Sequence, residues 1–345
     1  MENSHVDKRL LEVEFLRPVA ILLVVVLHSF TIYWGKWEPP QGYIDIDAYR
    51  WIAAASFSFT MELFVLLSGY VFGYQLLVQR RVYTLSSLIN NKLKRLILPS
   101  LVFGIIYALL FYMHMPSYKM VYSVMNGAGH LWFLPMLFWC FILGFLLFNS
   151  RIKDTHKLLA LLASVALSII HLPLRLDKAL YYLFFFYAGI FLMQRQDICR
   201  KLSGSNVFLF FIAALYLLSF VSYEMVVPSI EIPDDAFFIK TAYKLLRSYW
   251  IFTYSLSGTL FVFLLTFRLM QNRTAVPSLI VYCSSMSFGV YVFHQFVIEI
   301  LYYKTALPVV IGPRLLPWAG LIVTLPVSLL AVLLFRRLKL KHIVL

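Results

Sequence analysis

The sequence predicts an all-α, polytopic membrane helix bundle of about ten transmembrane helices with both termini cytoplasmic. Three observations predict it. Of the 345 residues, 61% are apolar and 13% charged, with a mean hydropathy of +0.82, whereas a soluble domain carries about a quarter charged residues. Apolar runs long enough to cross hydrocarbon recur along the whole chain, and only such runs form spanning helices, because every backbone amide must there be bonded within its own segment. Lys and Arg are shared unevenly between the loops on the two sides. The composition excludes a soluble globular enzyme, a disordered chain and a nucleic-acid module, although a net charge of +14 would suggest nucleic acid in a soluble protein.

The ten runs fall near 15–34, 51–78, 96–113, 131–148, 158–172, 179–194, 206–227, 248–267, 279–303 and 315–335. The first follows Lys8 and Arg9 and leads through 24–27 into His28 and aromatic residues rather than a small-residue cleavage site, so it is expected to remain as an anchor. The fifth and sixth are short and are separated only by a turn around His171, Pro173 and Asp177, which leaves eight helices plus a re-entrant pair as the alternative. With ten spans the termini share a side, and of 30 Lys and Arg residues 20 fall in the loops of that side and 10 opposite. The positive-inside rule then places both termini in the cytoplasm. Glu38, Asp45, Asp47, Glu231, Asp234 and Asp235 fall in the outer loops, where solvation accounts for them. Cys140, Cys199 and Cys283 are too few for a disulfide framework, and no repeat or separate soluble domain interrupts what reads as one transmembrane domain, 1–345.

Ionisable groups inside a membrane cost about 2.5–3.5 kcal/mol each on insertion scales, so they are functional candidates. Arg17, His28, Glu62 and His294 meet that criterion. Arg17 and His28 are eleven residues apart, which at 100° per residue leaves them about 20° off a shared face and ~16 Å apart along the axis. Glu14, one turn earlier, is placed to pair with Arg17. A snorkelling anchor accounts equally for Arg17, and an interhelical hydrogen bond for His28. Glu62 and His294 fall near the midplane at a depth comparable with His28; a Glu–His pair would orient the ring as a general base requires, while a carboxyl bonded to a neighbouring helix and a packed imidazole are the structural alternatives. Lys92 and Arg95 share a face at the membrane surface, suited to phosphate or to plain topogenic charge. His130 and Trp132 open the fourth run at the opposite surface, where an aromatic belt also explains Trp132. No GxGxxG, Walker loop, HExxH or GxSxG is present, and no metal is expected.

Together these segments resemble the acyltransferase-3 family of integral membrane acyltransferases over most of the chain. Glu14-Phe15-Leu16-Arg17 and the Arg17-to-His28 spacing are similar to the family's D-x-L-R-G start and Arg-x10-His, with Pro18 in place of Gly. The stretch from Glu62 to Tyr70 resembles F-F-V-L-S-G-F, and that from Lys92 to Pro99 resembles R-x-x-R-I-x-P with Lys92 for the first Arg. His130-Leu131-Trp132-Phe133-Leu134 is similar to the H-L-W-F-L of the branch without an extracellular domain, and the stretch from Met286 to His294 to S-F-G-I-Y-L-x-H. The V-E-E-Q-F-Y stretch of another branch is missing after Leu134.

The resemblance implies transfer of an acyl group, usually acetyl, from a cytoplasmic acyl-CoA to a hydroxyl of a glycan or lipid-linked sugar. The protein would sit among the lipids of a bacterial inner membrane, with no nucleic-acid partner. On that basis His28, oriented by Glu62, is the expected general base; Arg17, Lys92 and Arg95 are expected to hold acyl-CoA, and His130, Trp132 and His294 to lie on the acceptor side. The rival function is a transporter or flippase of a glycan or lipid intermediate that uses the midplane His and Glu as a proton relay.

Overall fold

A computed structural model describes residues 10–35, 37–40, 42–230 and 237–338 of the chain, and the described residues contain helices and no strand. Lys8 and Arg9 and the outer-loop acids Glu231, Asp234 and Asp235 lie outside them. Nine described helices are long and apolar enough to cross a membrane. They are α1 (Leu11–Phe30), α2 (Asp47–Leu77), the continuous rod of α3 (Leu85–Lys92) and α4 (Leu98–Phe111), α6 (Phe133–Asn149), α8 (Leu176–Gln194), α10 (Asn206–Val226), α11 (Phe237–Met270), α12 (Ser278–Tyr303) and α13 (Leu307–Arg337). Shorter helices α5 (Ser117–Met125), α7 (Asp154–Leu167) and α9 (Gln196–Gly204) join them.

The fifth apolar run becomes α7, whose 14 residues extend for about 21 Å and fall short of a ~30 Å hydrocarbon layer. The chain nevertheless returns across the bundle here. Arg175, just beyond α7, donates from Nε to the Asn126 carbonyl at 2.9 Å, and Asn126 stands at the end of the bundle where α6 begins. The turn between α7 and α8 is made by Leu174 and Arg175, both at positive φ. Arg336 near the end of α13 donates to the carbonyl of Ser285, which lines the same cavity as Arg17 of α1. The first and last described helices therefore have their outer ends at one end of the bundle, hereafter the basic end.

Lipid tails are as apolar as Leu, so helix association in a membrane relies on close packing of small residues. The most extensive contact, α2 against α8, is of that kind. A Cβ on Gly69 would stand 1.9 Å from the Phe186 carbonyl oxygen, and one on Gly189 would stand 2.1 Å from that of Leu66. Gly73, one turn beyond Gly69 in a G-x-x-x-G pattern, packs on the Ile190 backbone. Val207, Phe210 and Leu218 of α10 and Val310, Ile322 and Leu330 of α13 remain exposed, as a lipid-facing surface requires.

Candidate active site

Four elements, α1, the α3–α4 rod, α6 together with the turn that enters it, and α12, each contribute to two separate cavities. The cavity at the basic end encloses about 410 Å³ and is lined by Arg17, Lys92, Arg95 and by Ser68, Ser284, Ser285 and Ser287 among aromatic and aliphatic residues. Lys92 is half-buried, with Nζ 3.4 Å from the Phe141 ring centroid, while Arg95 is exposed at the mouth. A π-helical turn over Leu93–Ile97 interrupts the rod between Lys92 and α4, the kind of bulge that sets side chains at functional sites. Glu14 acts electrostatically on Arg17, in keeping with the spacing of the two in α1.

The cavity at the opposite end holds about 630 Å³, lined by His28, His130, Trp132, Trp37, Tyr107, Gln295, Glu299 and Lys304 among others. His130 is set there by its backbone. Gly127 and Gly129 take positive φ, and a Cβ on Gly129 would stand 2.5 Å from the Tyr107 ring, so only glycine lets Tyr107 pack against the turn that enters α6.

Between the cavities lies a layer of imidazoles. His294 is fully buried, and its ring centroid is 4.8 Å from those of both His28 and His130. The hydrogen bonds fix the proton positions. His294 Nδ1 lies 2.6 Å from the Tyr291 carbonyl and His28 Nδ1 lies 2.8 Å from the Val24 carbonyl; a carbonyl only accepts, so both Nδ1 atoms carry the proton. His294 Nε2 then faces His28 Nδ1 at 3.3 Å as an acceptor, and His28 Nε2 keeps a free lone pair. His130 is the other tautomer: Nε2 donates to the Val292 carbonyl at 3.0 Å, Nδ1 is buried without a partner, and its own carbonyl accepts from the Tyr291 hydroxyl. Tyr291 lines the basic cavity, so one side chain spans the wall between the two.

The structure thus brings Arg17, Lys92 and Arg95 together in one cavity and His28, His130 and Trp132 together in the other. His294 lines neither cavity and stands against His28 instead. Glu62 is not brought to His28. It is buried beside Tyr181 of α8 and Ser255 of α11, with Oε2 free of any hydrogen bond. Helical phase also turns it away from the basic cavity: Phe64, Leu67 and Ser68, which line that cavity, lie about 200°, 140° and 240° around α2 from Glu62 at 100° per residue. Glu299, Gln295 and Tyr107 are site residues that the motifs pass over. Glu299 satisfies the same criterion that singles out Glu62, an acid inside an apolar run.

Membrane-length helices around an internal site define an integral, multi-pass membrane protein. The family model of the acyltransferase domain, acyltransferase-3, matches residues 10–337, and the chain belongs to that family. No curated protein and no solved structure matches it. It is accordingly an acyltransferase, which takes its acyl group from a donor and passes it to an acceptor. Among the described residues no group of three or more His, Cys, Asp or Glu side chains could hold a metal ion.

Proposed function

We propose that the protein transfers an acyl group, acetyl in the simplest case, from acyl-CoA to a hydroxyl of a glycan or lipid-linked sugar, in the inner membrane of a bacterium. The observation that carries this is the position of His28, on one cavity and against His294, with the wall residue Tyr291 lining the other cavity, where Arg17, Lys92 and Arg95 collect. Three cations and four serines suit the phosphates of CoA. The basic cavity would take the narrow pantetheine arm and leave the nucleotide at the mouth beside Arg95. The positive-inside assignment puts that mouth on the cytoplasmic side, where acyl-CoA is found. The acceptor would enter from the opposite end, among Trp37, Trp132 and Tyr303.

In this reading the acceptor hydroxyl gives its proton to His28 Nε2 as its oxygen attacks the thioester carbonyl. A C–O bond forms, the C–S bond breaks, and the imidazolium returns the proton to the departing thiolate. Val24 and His294 hold Nδ1 and so keep Nε2 aimed at the cavity. Glu62 takes no part in the proton transfer and instead joins α2 to α8 and α11. His28→Ala should lower acyl transfer by about 10²–10⁴-fold in a correctly inserted protein, measured with radiolabelled acetyl-CoA and surface glycan. Transfer at the native rate would remove His28 as the base. The transport alternative has no observation of its own in its favour.

A further inference from the structure

The deep wall of the larger cavity carries a closed hydrogen-bond triangle. Tyr107 donates its hydroxyl proton to Glu299 Oε1; Gln295 Nε2 donates to the same oxygen at 2.6 Å and to the Tyr107 hydroxyl oxygen at 2.8 Å. These bonds use the single proton of Tyr107 and both amide protons of Gln295. All three residues are buried yet line the cavity. Glu299 Oε2 accepts from no described residue, and with Oε1 anchored by two donors it is held in a fixed direction. His28 Nε2, on the same cavity, is likewise an acceptor without a donor. Glu299 Oε2 and His28 Nε2 are therefore two acceptors on one cavity that no described residue supplies with a donor. A simple alcohol brings one O–H and satisfies one of them; an acceptor with at least two hydroxyls satisfies both.

We propose that Glu299 is a specificity-determining residue that takes a hydrogen bond from a second hydroxyl of the acceptor, so that the site selects a polyol and fixes which hydroxyl meets His28. The inference rests on the acyl transfer proposed above. The hydroxyl bound to Glu299 keeps its proton, while the one at His28 loses it and gains the acyl carbon. A site built to bind a hydroxyl discriminates strongly against an analogue that lacks it, because its own polar group is then left unpaired.

The experiment uses the full chain in lipid nanodiscs, acetyl-CoA, and methyl glucopyranoside with its monodeoxy derivatives as acceptor probes, with ester product read by mass spectrometry. Wild type is expected to show kcat/KM at least tenfold lower for one deoxy derivative than for the parent sugar. Glu299→Gln keeps the size and the Oε1 acceptor but replaces Oε2 by a donor, and should penalise the parent sugar at least tenfold more than that derivative, chiefly through acceptor KM. Equal penalties for all probes, or a wild type indifferent to every deoxy position, would overturn the role of Glu299 while leaving acyl transfer intact. The wild-type comparison decides this even if the variant fails to fold. A wild type that transfers acetyl to none of the probes overturns the inference, and one that also fails with native glycan overturns the acyl-transfer reading beneath it.

Discussion

Two cations separated by three positions on one rod have different surroundings. Lys92 is wedged against Phe141, so removing it also removes packing, whereas Arg95 is exposed at the cavity mouth and offers mainly charge. Arg95→Ala is therefore the cleaner probe of donor binding. A hydrogen bond to a charged group contributes about 1.5–3 kcal/mol, and at the exposed end of that range the KM for acetyl-CoA should rise about tenfold while kcat changes less than about twofold, the pattern of lost uniform binding. Steady-state kinetics at saturating acceptor checks this, and a fall in kcat at unchanged KM would take Arg95 out of the donor site. At this scale the sequence showed which residues are expensive in a membrane and much less about which way they face. The Arg17-to-His28 stripe was legible because both lie on one helix, whose period is fixed. The direction of Glu62 was not, because it depends on which neighbour α2 turns toward it, and that is set by the glycines seven residues and more beyond. Glu299 was visible as an acid in an apolar run, but its partnership with Tyr107 joins residues 192 positions apart.

The spanning helices were readable from hydropathy, with the fifth run the instructive difference. An apolar run sets the solvent a helix prefers, whereas its length sets how far it reaches, and the 14 residues of α7 are completed by the turn at 168–175 rather than by more helix. How the helices meet follows from small residues. Gly189 abuts the Leu66 carbonyl oxygen and the Tyr70 nitrogen, backbone atoms that cannot rotate away. Gly189→Val should separate α8 from α2 at a cost at or above the upper end of the ~1–3 kcal/mol usual for overpacking. That should appear as a marked fall in thermal midpoint in detergent with loss of activity. Gly204→Ala is the matched control, since a Cβ there meets nothing within 4 Å, and its effect should stay within about 0.5 kcal/mol. Equal stability of the two variants would show that the α2–α8 contact does not hold the bundle together. The same contact fixes the phase of α2 and so places Ser68 in the basic cavity and Glu62 away from it.

At the scale of the whole molecule, the excess of Lys and Arg at one end and the position of the two cavities support one expectation. α1, the α3–α4 rod, α6 with the turn before it, and α12 each run from the basic cavity to the aromatic one, and the imidazoles with Tyr291 form the wall between. In the reading proposed above, this wall would bar a whole CoA while the thioester and the acceptor hydroxyl meet beside His28. The acyl group should then cross the membrane without its carrier. In sealed proteoliposomes with the basic end outward, external acetyl-CoA should acylate an acceptor trapped in the lumen, free CoA should accumulate outside only, and external acceptor should be a poor substrate until the vesicles are opened. Orientation is read by protease access to the loop between α2 and α3, which carries Arg80 and Arg81 at the basic end. Ester formed on the CoA side alone would mean that both substrates use the basic cavity, and would move the acceptor away from Trp37, Trp132 and Tyr303. Product in the lumen with CoA left outside is the outcome expected if donor and acceptor occupy the two cavities on either side of that wall.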